Sequence, residues 1–143
     1  MAESREIHGP DGFRLLFVRT PDETGGELLE MEATYSGSGQ MPPEHLHPRQ
    51  VERFEVLEGA IRTVIGGAER RFESGECFEV AAGTPHQMGA DGPSRIRWQV
   101  RPALRTAEFF ERLYGDRADS ARSAASIADF LAEFSDEIRL TGA

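Results

Sequence analysis

A period of two, returning between residues 12 and about 102, constrains the fold of this chain more than any other feature. Leu29, Met31, Ala33 and Tyr35 alternate with Glu30, Glu32 and Thr34. Ile61, Thr63 and Ile65 alternate with Arg62 and Val64, and Ile96, Trp98 and Val100 alternate with Arg95, Arg97, Gln99 and Arg101. Neighbouring side chains on an extended strand point to opposite faces, so this pattern marks strands with one buried face. Turn chemistry separates them: Pro10-Asp11-Gly12, Gly25-Gly26, Gly66-Gly67, Ser74-Gly75 and Asp91-Gly92-Pro93. Short strands at a spacing of roughly 8–12 residues predict an all-β sandwich or barrel.

The period changes from about residue 106. Phe109, Phe110 and Leu113 fall at helical spacing, and Gly115 is a natural stop. Gly115 to Ala125 is small and polar and reads as a linker. Ile127, Phe130, Leu131, Phe134 and Ile138 then form an apolar stripe at i, i+3, i+4, i+7 and i+11, with Ser123 or Ser126 as its candidate cap. The expected organisation is a β-barrel with an N-terminal arm over residues 1–105 and a helical extension over 106–143. The stripe needs a partner, either the outside of the barrel or a second subunit.

Composition narrows the function. The 143 residues suit one domain, and the formal net charge of −9 disfavours nucleic acid and anionic membranes as partners. The longest apolar run, Leu15 to Val18, is too short to span a membrane. The first six residues lack the basic start and apolar stretch of a signal peptide, so a cytoplasmic location is expected. All 16 basic residues are arginine, which removes imine chemistry on lysine and the phosphate-binding lysine of nucleotide-binding loops. Without asparagine there is no glycosylation sequon. The single cysteine, Cys77, has no intrachain disulfide partner and is expected as a buried thiol in a strand.

Three of the four histidines sit in two short segments: His45 and His47, followed by Glu52, in the first, and His86 in the second. His8 lies outside both and reads as a surface residue. His45 and His47 are two apart, so both imidazoles face one side of an extended strand. Two imidazoles beside a carboxylate are ligands for a divalent transition metal. Glu52 lies an odd number of positions past His47, so the chain must turn between them, and Pro48-Arg49-Gln50 is the place for it. Beyond the turn, Glu52, Phe54 and Val56 share one strand face, with Phe54 and Val56 as an apolar floor. His86, behind Gly83-Thr84-Pro85, supplies a further ligand from another strand. Three neutral imidazoles and one carboxylate leave coordination positions open, as a catalytic site requires. Gln50 either lines the pocket or faces solvent from the turn. Tyr35 and Trp98 alternate onto the inner face as core or as substrate-stacking aromatics. Arg49 and Arg53 flank the site as surface residues or as an attraction for an anion.

The run Gly39-x5-His45-x-His47-x4-Glu52-x6-Gly59 resembles the first motif of the cupin family at every fixed position. Gly75, Gly83 and His86 match the second motif, with Ala81 in place of its usual proline and Ala90 in place of its terminal asparagine. The resemblance covers roughly residues 35 to 100. It implies a cupin-type double-stranded β-helix, or jelly-roll, barrel with short C-terminal helices. It also implies that His45, His47, Glu52 and His86 bind one divalent transition metal: iron, manganese, nickel, copper, cobalt or zinc. The function expected from it is a metal-dependent small-molecule oxygenase of the dioxygenase kind, with Glu52 as a ligand or as a base that detaches during turnover. The alternatives are a non-redox isomerase or cyclase and a non-catalytic ligand-binding protein. The expected partners are a small-molecule substrate or ligand and a second copy in a homodimer.

Overall fold

A computed structural model describes residues 5–39, 41–114 and 124–141. Eleven strands run in the order β1 (Arg5–His8), β2 (Arg14–Arg19), β3 (Leu29–Tyr35), β4 (His45–Leu46), β5 (Val51–Glu58), β6 (Ala60–Ile65), β7 (Ala68–Glu73), β8 (Cys77–Val80), β9 (His86–Ala90), β10 (Ser94–Arg101) and β11 (Arg139–Leu140). A four-residue helix, α1 (Pro21–Thr24), joins β2 to β3, and α2 (Thr106–Tyr114) and α3 (Ala124–Glu133) follow β10. The strands form two antiparallel sheets, one of six strands in the order β1-β2-β3-β10-β5-β8 and one of five in the order β11-β4-β9-β6-β7. This is the jelly-roll expected from the alternation and the turn signals. The linker over 115–123 and the Ser123 cap lie outside the described residues, and Ser126 falls within α3.

The core lies between the sheets and is filled by the inward phase of each strand. Leu29, Met31 and Ala33 of β3, Phe54 and Val56 of β5, and Ile96 and Val100 of β10 are all at most 1% exposed. Phe78 stacks on Phe54 at 4.8 Å and on Phe72 at 4.3 Å, so three rings bridge the two sheets. The outward phase of the larger sheet carries cross-strand ion pairs, with Arg95 2.9 Å from Glu32 and Arg97 3.3 Å from Glu55. Such exposed pairs add little stability, and they keep that face wet. Gly59, between β5 and β6, is required twice over. Its φ is +77°, and a Cβ there would stand 2.3 Å from the Pro93 carbonyl oxygen.

Two expectations need correction. Cys77 is exposed, because Phe78 and Val80 take the inward phase of β8 and leave Cys77 and Glu79 outside. The apolar stripe does not run along one helix. α3 ends at Glu133 and the chain turns, so Phe130 and Phe134 are buried while Ile127 is 41% exposed. The partner of the stripe is α2: Phe109 packs with Phe130 at 5.3 Å and with Phe134 at 5.4 Å, closing a small aromatic core within the chain. β11 then pairs with β4, so the C-terminal segment returns as the edge strand of the smaller sheet. Among the described residues, no helix is long and apolar enough to cross a membrane.

Candidate metal centre

The site is built on β4, β5 and β9. Strand pairing sets His45 directly opposite His86, with Ile65 on the other side of His86. After β4 the chain turns at Pro48-Arg49, and His47 is held at the turn by a bond from the Gly83 amide to its carbonyl oxygen, 2.9 Å. That bond ties the two histidine segments together. Glu52 enters from the inward phase of β5 and is 2% exposed. The side-chain ligand atoms of His45, His47 and His86 all lie within 4.8 Å of one another. The Oε1 atom of Glu52 stands 3.0 Å from His47 Nε2 and 3.1 Å from His86 Nε2.

Each imidazole is oriented from behind by a backbone carbonyl. Nδ1 of His45 lies 3.0 Å from Pro43 O, that of His47 2.7 Å from Glu137 O, and that of His86 2.9 Å from Thr84 O. A carbonyl only accepts, so these contacts assign the proton to Nδ1 in all three rings. In the neutral tautomer each Nε2 is then a bare lone pair, and those of His47 and His86 face the Glu52 carboxylate. Nε2 of His47 and Oε1 of Glu52 are buried without a hydrogen-bond partner. Leaving two acceptors buried face to face is costly, and a cation between them removes the cost. The donor set therefore fits a divalent transition metal.

The electrostatics carry the same signature. Burial alone would push the Glu52 carboxyl up, but in metal-free protein hydrogen bonds and charge from His47 and His86, once those rings carry a second proton on Nε2, hold it down to about 2. Burial, with repulsion from the other two rings, pushes His45 down to about 4 despite its bond to the Pro43 carbonyl. Burial also opposes charge on His47, yet the Glu52 carboxylate outweighs it and raises that pKa. The buried carboxylate thus favours positive charge beside this ring.

The other oxygen of Glu52 is occupied, since Trp98 Nε1 donates to Oε2 at 2.8 Å. Trp98 thus positions the carboxylate while its ring packs edge-on against Phe110 at 5.3 Å. The four atoms sit in a cavity of about 490 Å³ that Phe54, Tyr35 and Gln50 also line. Tyr35 reaches it beside Phe13, with ring centroids 5.3 Å apart, and burial raises its phenol pKa. Gln50 is 1% exposed, and its Nε2 donates toward Pro102 O, Ala103 O and Thr106 Oγ1 at 2.8–3.0 Å. It fastens the metal-site loop to the start of α2, which rules out the solvent-facing turn role. Arg49 and Arg53 stay outside the cavity, and the pair Arg49–Asp136 is long at 3.8 Å. His8 is a surface residue 2.9 Å from Glu6.

Two features escaped the sequence reading. Phe110 and Tyr114 of α2 stack as parallel rings 6.2 Å apart and close one wall of the cavity. Their i, i+4 spacing was legible, but which face of α2 meets the barrel was not. The Glu137 carbonyl behind His47 left no trace at all, because a backbone oxygen 90 residues away has no side-chain code.

A model of the cupin domain matches residues 31–100, a span that contains both histidine segments. Over that span the chain is a cupin domain. This cupin is 29% identical over 86 residues to quercetin 2,3-dioxygenase of Bacillus subtilis (strain 168), across 56% of its own length. The match covers only 26% of that relative. Among solved structures, an RmlC-like cupin from Shewanella frigidimarina superposes with a TM-score of 0.64 at 15% identity, covering 73% of this cupin and 89% of that chain. KdgF from Halomonas sp. gives 0.57 at 20% identity over 71% and 86% of the two chains. The nucleoside dehydratase Pac13 of Streptomyces gives 0.58 at 14% identity over 73% and 81%. At these identities the likeness is one of fold.

Proposed function

We propose that this cupin holds one divalent transition metal through His45, His47, Glu52 and His86 and uses it to oxygenate a neutral, largely apolar small molecule. The convergence of three imidazoles and a buried carboxylate on the floor of an aromatic cavity carries this reading. A bound transition metal supplies Lewis acidity, an open coordination position and, for metals other than zinc, redox chemistry.

The chain's own residues then have definite tasks. The carbonyls of Pro43, Glu137 and Thr84 aim the three lone pairs inward. Glu52 acts as a ligand rather than a detaching base, because Trp98 holds its second oxygen and the Nε2 atoms of His47 and His86 face the first. Phe110, Tyr114 and Phe13 exclude water and offer ring faces to a flat substrate. No arginine lines the cavity among the described residues, and the chain has no lysine, so no guanidinium or ammonium group there pairs with a phosphate or carboxylate away from the metal position. Isomerisation or cyclisation needs a wall group tuned to move protons. The cavity wall offers the phenols of Tyr35 and Tyr114 for this, and burial raises both away from neutrality, which favours oxygenation.

The test is elemental analysis of untagged protein beside a His45→Ala/His47→Ala variant, followed by oxygen-electrode assays on protein reloaded with each metal. Quercetin, the substrate in the relative's name, is the first probe, with other neutral hydroxylated aromatics after it. Iron, manganese, nickel, cobalt or copper at about one per chain, absent from the variant, with substrate-dependent oxygen uptake, is the expected outcome. Zinc at that stoichiometry with no oxygen uptake under any metal would overturn oxygenation in favour of isomerase or cyclase chemistry. No metal even after reloading would leave a ligand-binding module.

A further inference from the structure

The C-terminal segment is bound to the metal-site strand more closely than a cover needs to be. β11 pairs Leu140 with His45 and Arg139 with Leu46. The Thr141 amide donates to Glu44 O at 3.2 Å, and its hydroxyl donates to Glu44 Oε1 at 2.6 Å. The Glu137 carbonyl accepts from Nδ1 of His47 at 2.7 Å, and the Glu137 carboxylate, on a residue only 5% exposed, accepts from the Arg105 amide at 3.2 Å. Ile138 and Leu140 complete the cavity wall. The strap Glu137–Thr141 is thus clamped at both ends, with a ligand histidine between the clamps.

We infer that Glu137 is a positioning residue of the metal centre: its carbonyl selects the tautomer and ring plane of His47, so docking of the C-terminal strap and metal affinity are one linked equilibrium. This rests on the metal reading above. His45 and His86 take their Nδ1 acceptors from residues two positions before them, held close by the chain itself. His47 alone takes its acceptor from a distant segment, so this one ligand is correct only while the strap is down. Linkage is reciprocal, and the metal must tighten the strap by the factor by which the strap tightens the metal.

The experiment uses the full chain, with Zn²⁺ alone as the probe. Thr141→Pro removes every bond from Thr141 to Glu44. Glu137→Ala removes the carboxylate clamp, and Glu137→Gln keeps an oxygen to accept from Arg105. Three readouts are taken: Zn²⁺ affinity by chelator competition, amide exchange over 137–141, and the imidazole ¹⁵N shifts of His47 in metal-free protein, recorded at a pH where its two nitrogens show the neutral-ring pattern. Thr141→Pro and Glu137→Ala should each weaken Zn²⁺ binding about tenfold, and Glu137→Gln should restore it. Zn²⁺ should slow exchange over 137–141 in the wild type by a matching factor. His47 should show one tautomer in the wild type and a mixture in the two weakened variants. Unchanged affinity and an unchanged ¹⁵N pattern in Thr141→Pro, with its C-terminal amides exchanging faster, would overturn the inference and leave the strap a cover. If the wild type takes up no Zn²⁺, the metal reading fails, and the tautomer in the metal-free variants still decides the role of Glu137.

Discussion

His86 and His47 meet at the same carboxylate, but the regions that hold them differ. His86 begins β9, paired on both sides and backed by a core that joins the two sheets through Phe54, Phe78 and Phe72. His47 lies outside any strand, and its ring is aimed by a strap that rests on three phenylalanines, Phe109, Phe130 and Phe134. One region is made of long-range strand ladders with nearly every apolar side chain buried. The other is a short helical clasp with a partly exposed surface. Local stability follows burial and contact density, so the barrel end of the site is the rigid half and the strap end the yielding one.

The largest test of that contrast is a pair of cavity-forming variants. Phe54→Ala, at a side chain 1% exposed between the sheets, should cost about 3–5 kcal/mol and lower the midpoint of the single barrel transition. Phe134→Ala, fully buried in the clasp, should speed amide exchange over 124–141 while β3, β5 and β10 keep their protection. Equal loss of protection in both regions would show that barrel and clasp unfold as one unit. Next in size, His86→Ala should lower metal affinity by more than about 100-fold, beyond what removal of an orienting partner costs, in a titration against a chromophoric chelator. A smaller loss there than in Glu137→Ala would reverse the order of the two halves.

Much of the barrel half was legible in the residues. The alternation at Leu29–Tyr35 and Ser94–Arg101 is the shadow of one buried face, and the odd interval from His47 to Glu52 required the turn seen at Pro48-Arg49. Gly59 follows from the backbone, because a side chain there would strike Pro93. Gly39 does not: nothing lies within 4 Å of where its Cβ would be, and the structure offers no reason for glycine. The clasp was harder to read because its determinants are not periodic. The stripe from Ile127 to Ile138 has helical spacing, yet the helix stops at Glu133, so Ile127 and Ile138 are not on one helical face. Gln50 was ambiguous for a related reason. Its hydrogen bonds go to two carbonyls and one hydroxyl that the fold, not the local sequence, brings to it.

Trp98 separates packing from positioning within the rigid half. Trp98→Phe keeps an aromatic ring against Phe54 and Phe110 but removes the donor to Glu52 Oε2. A buried carboxylate oxygen left unpaired costs about 1–3 kcal/mol, and loss of an orienting partner weakens metal binding about 10–100-fold. Calorimetric stability of metal-free protein and a metal titration of the same variant check both values. If stability falls with affinity intact, Trp98 is only a packing residue.

The smallest effect distinguishes His45 from His47 in the metal-free protein, through pH. His45 falls from its ordinary 6.5 to about 4 on folding, so the folded state disfavours its proton. Its contribution to stability is present above about 6.5 and is lost as the pH falls toward 4. Glu52 adds a lower limb, with a contribution present above 4.5 and lost as the pH falls toward about 2. His47 runs the other way. Its pKa is raised, so its contribution is full below 6.5 and is lost as the pH climbs through the raised value. Thermal melts of metal-free protein against pH should therefore fall off on both sides of mildly acidic conditions. His45→Gln should flatten the limb between 6.5 and 4 and spare the lower one, and His47→Gln should remove the alkaline decline. An alkaline decline that survives His47→Gln would mean that the Glu52 carboxylate does not set the charge preference of the ring the strap holds.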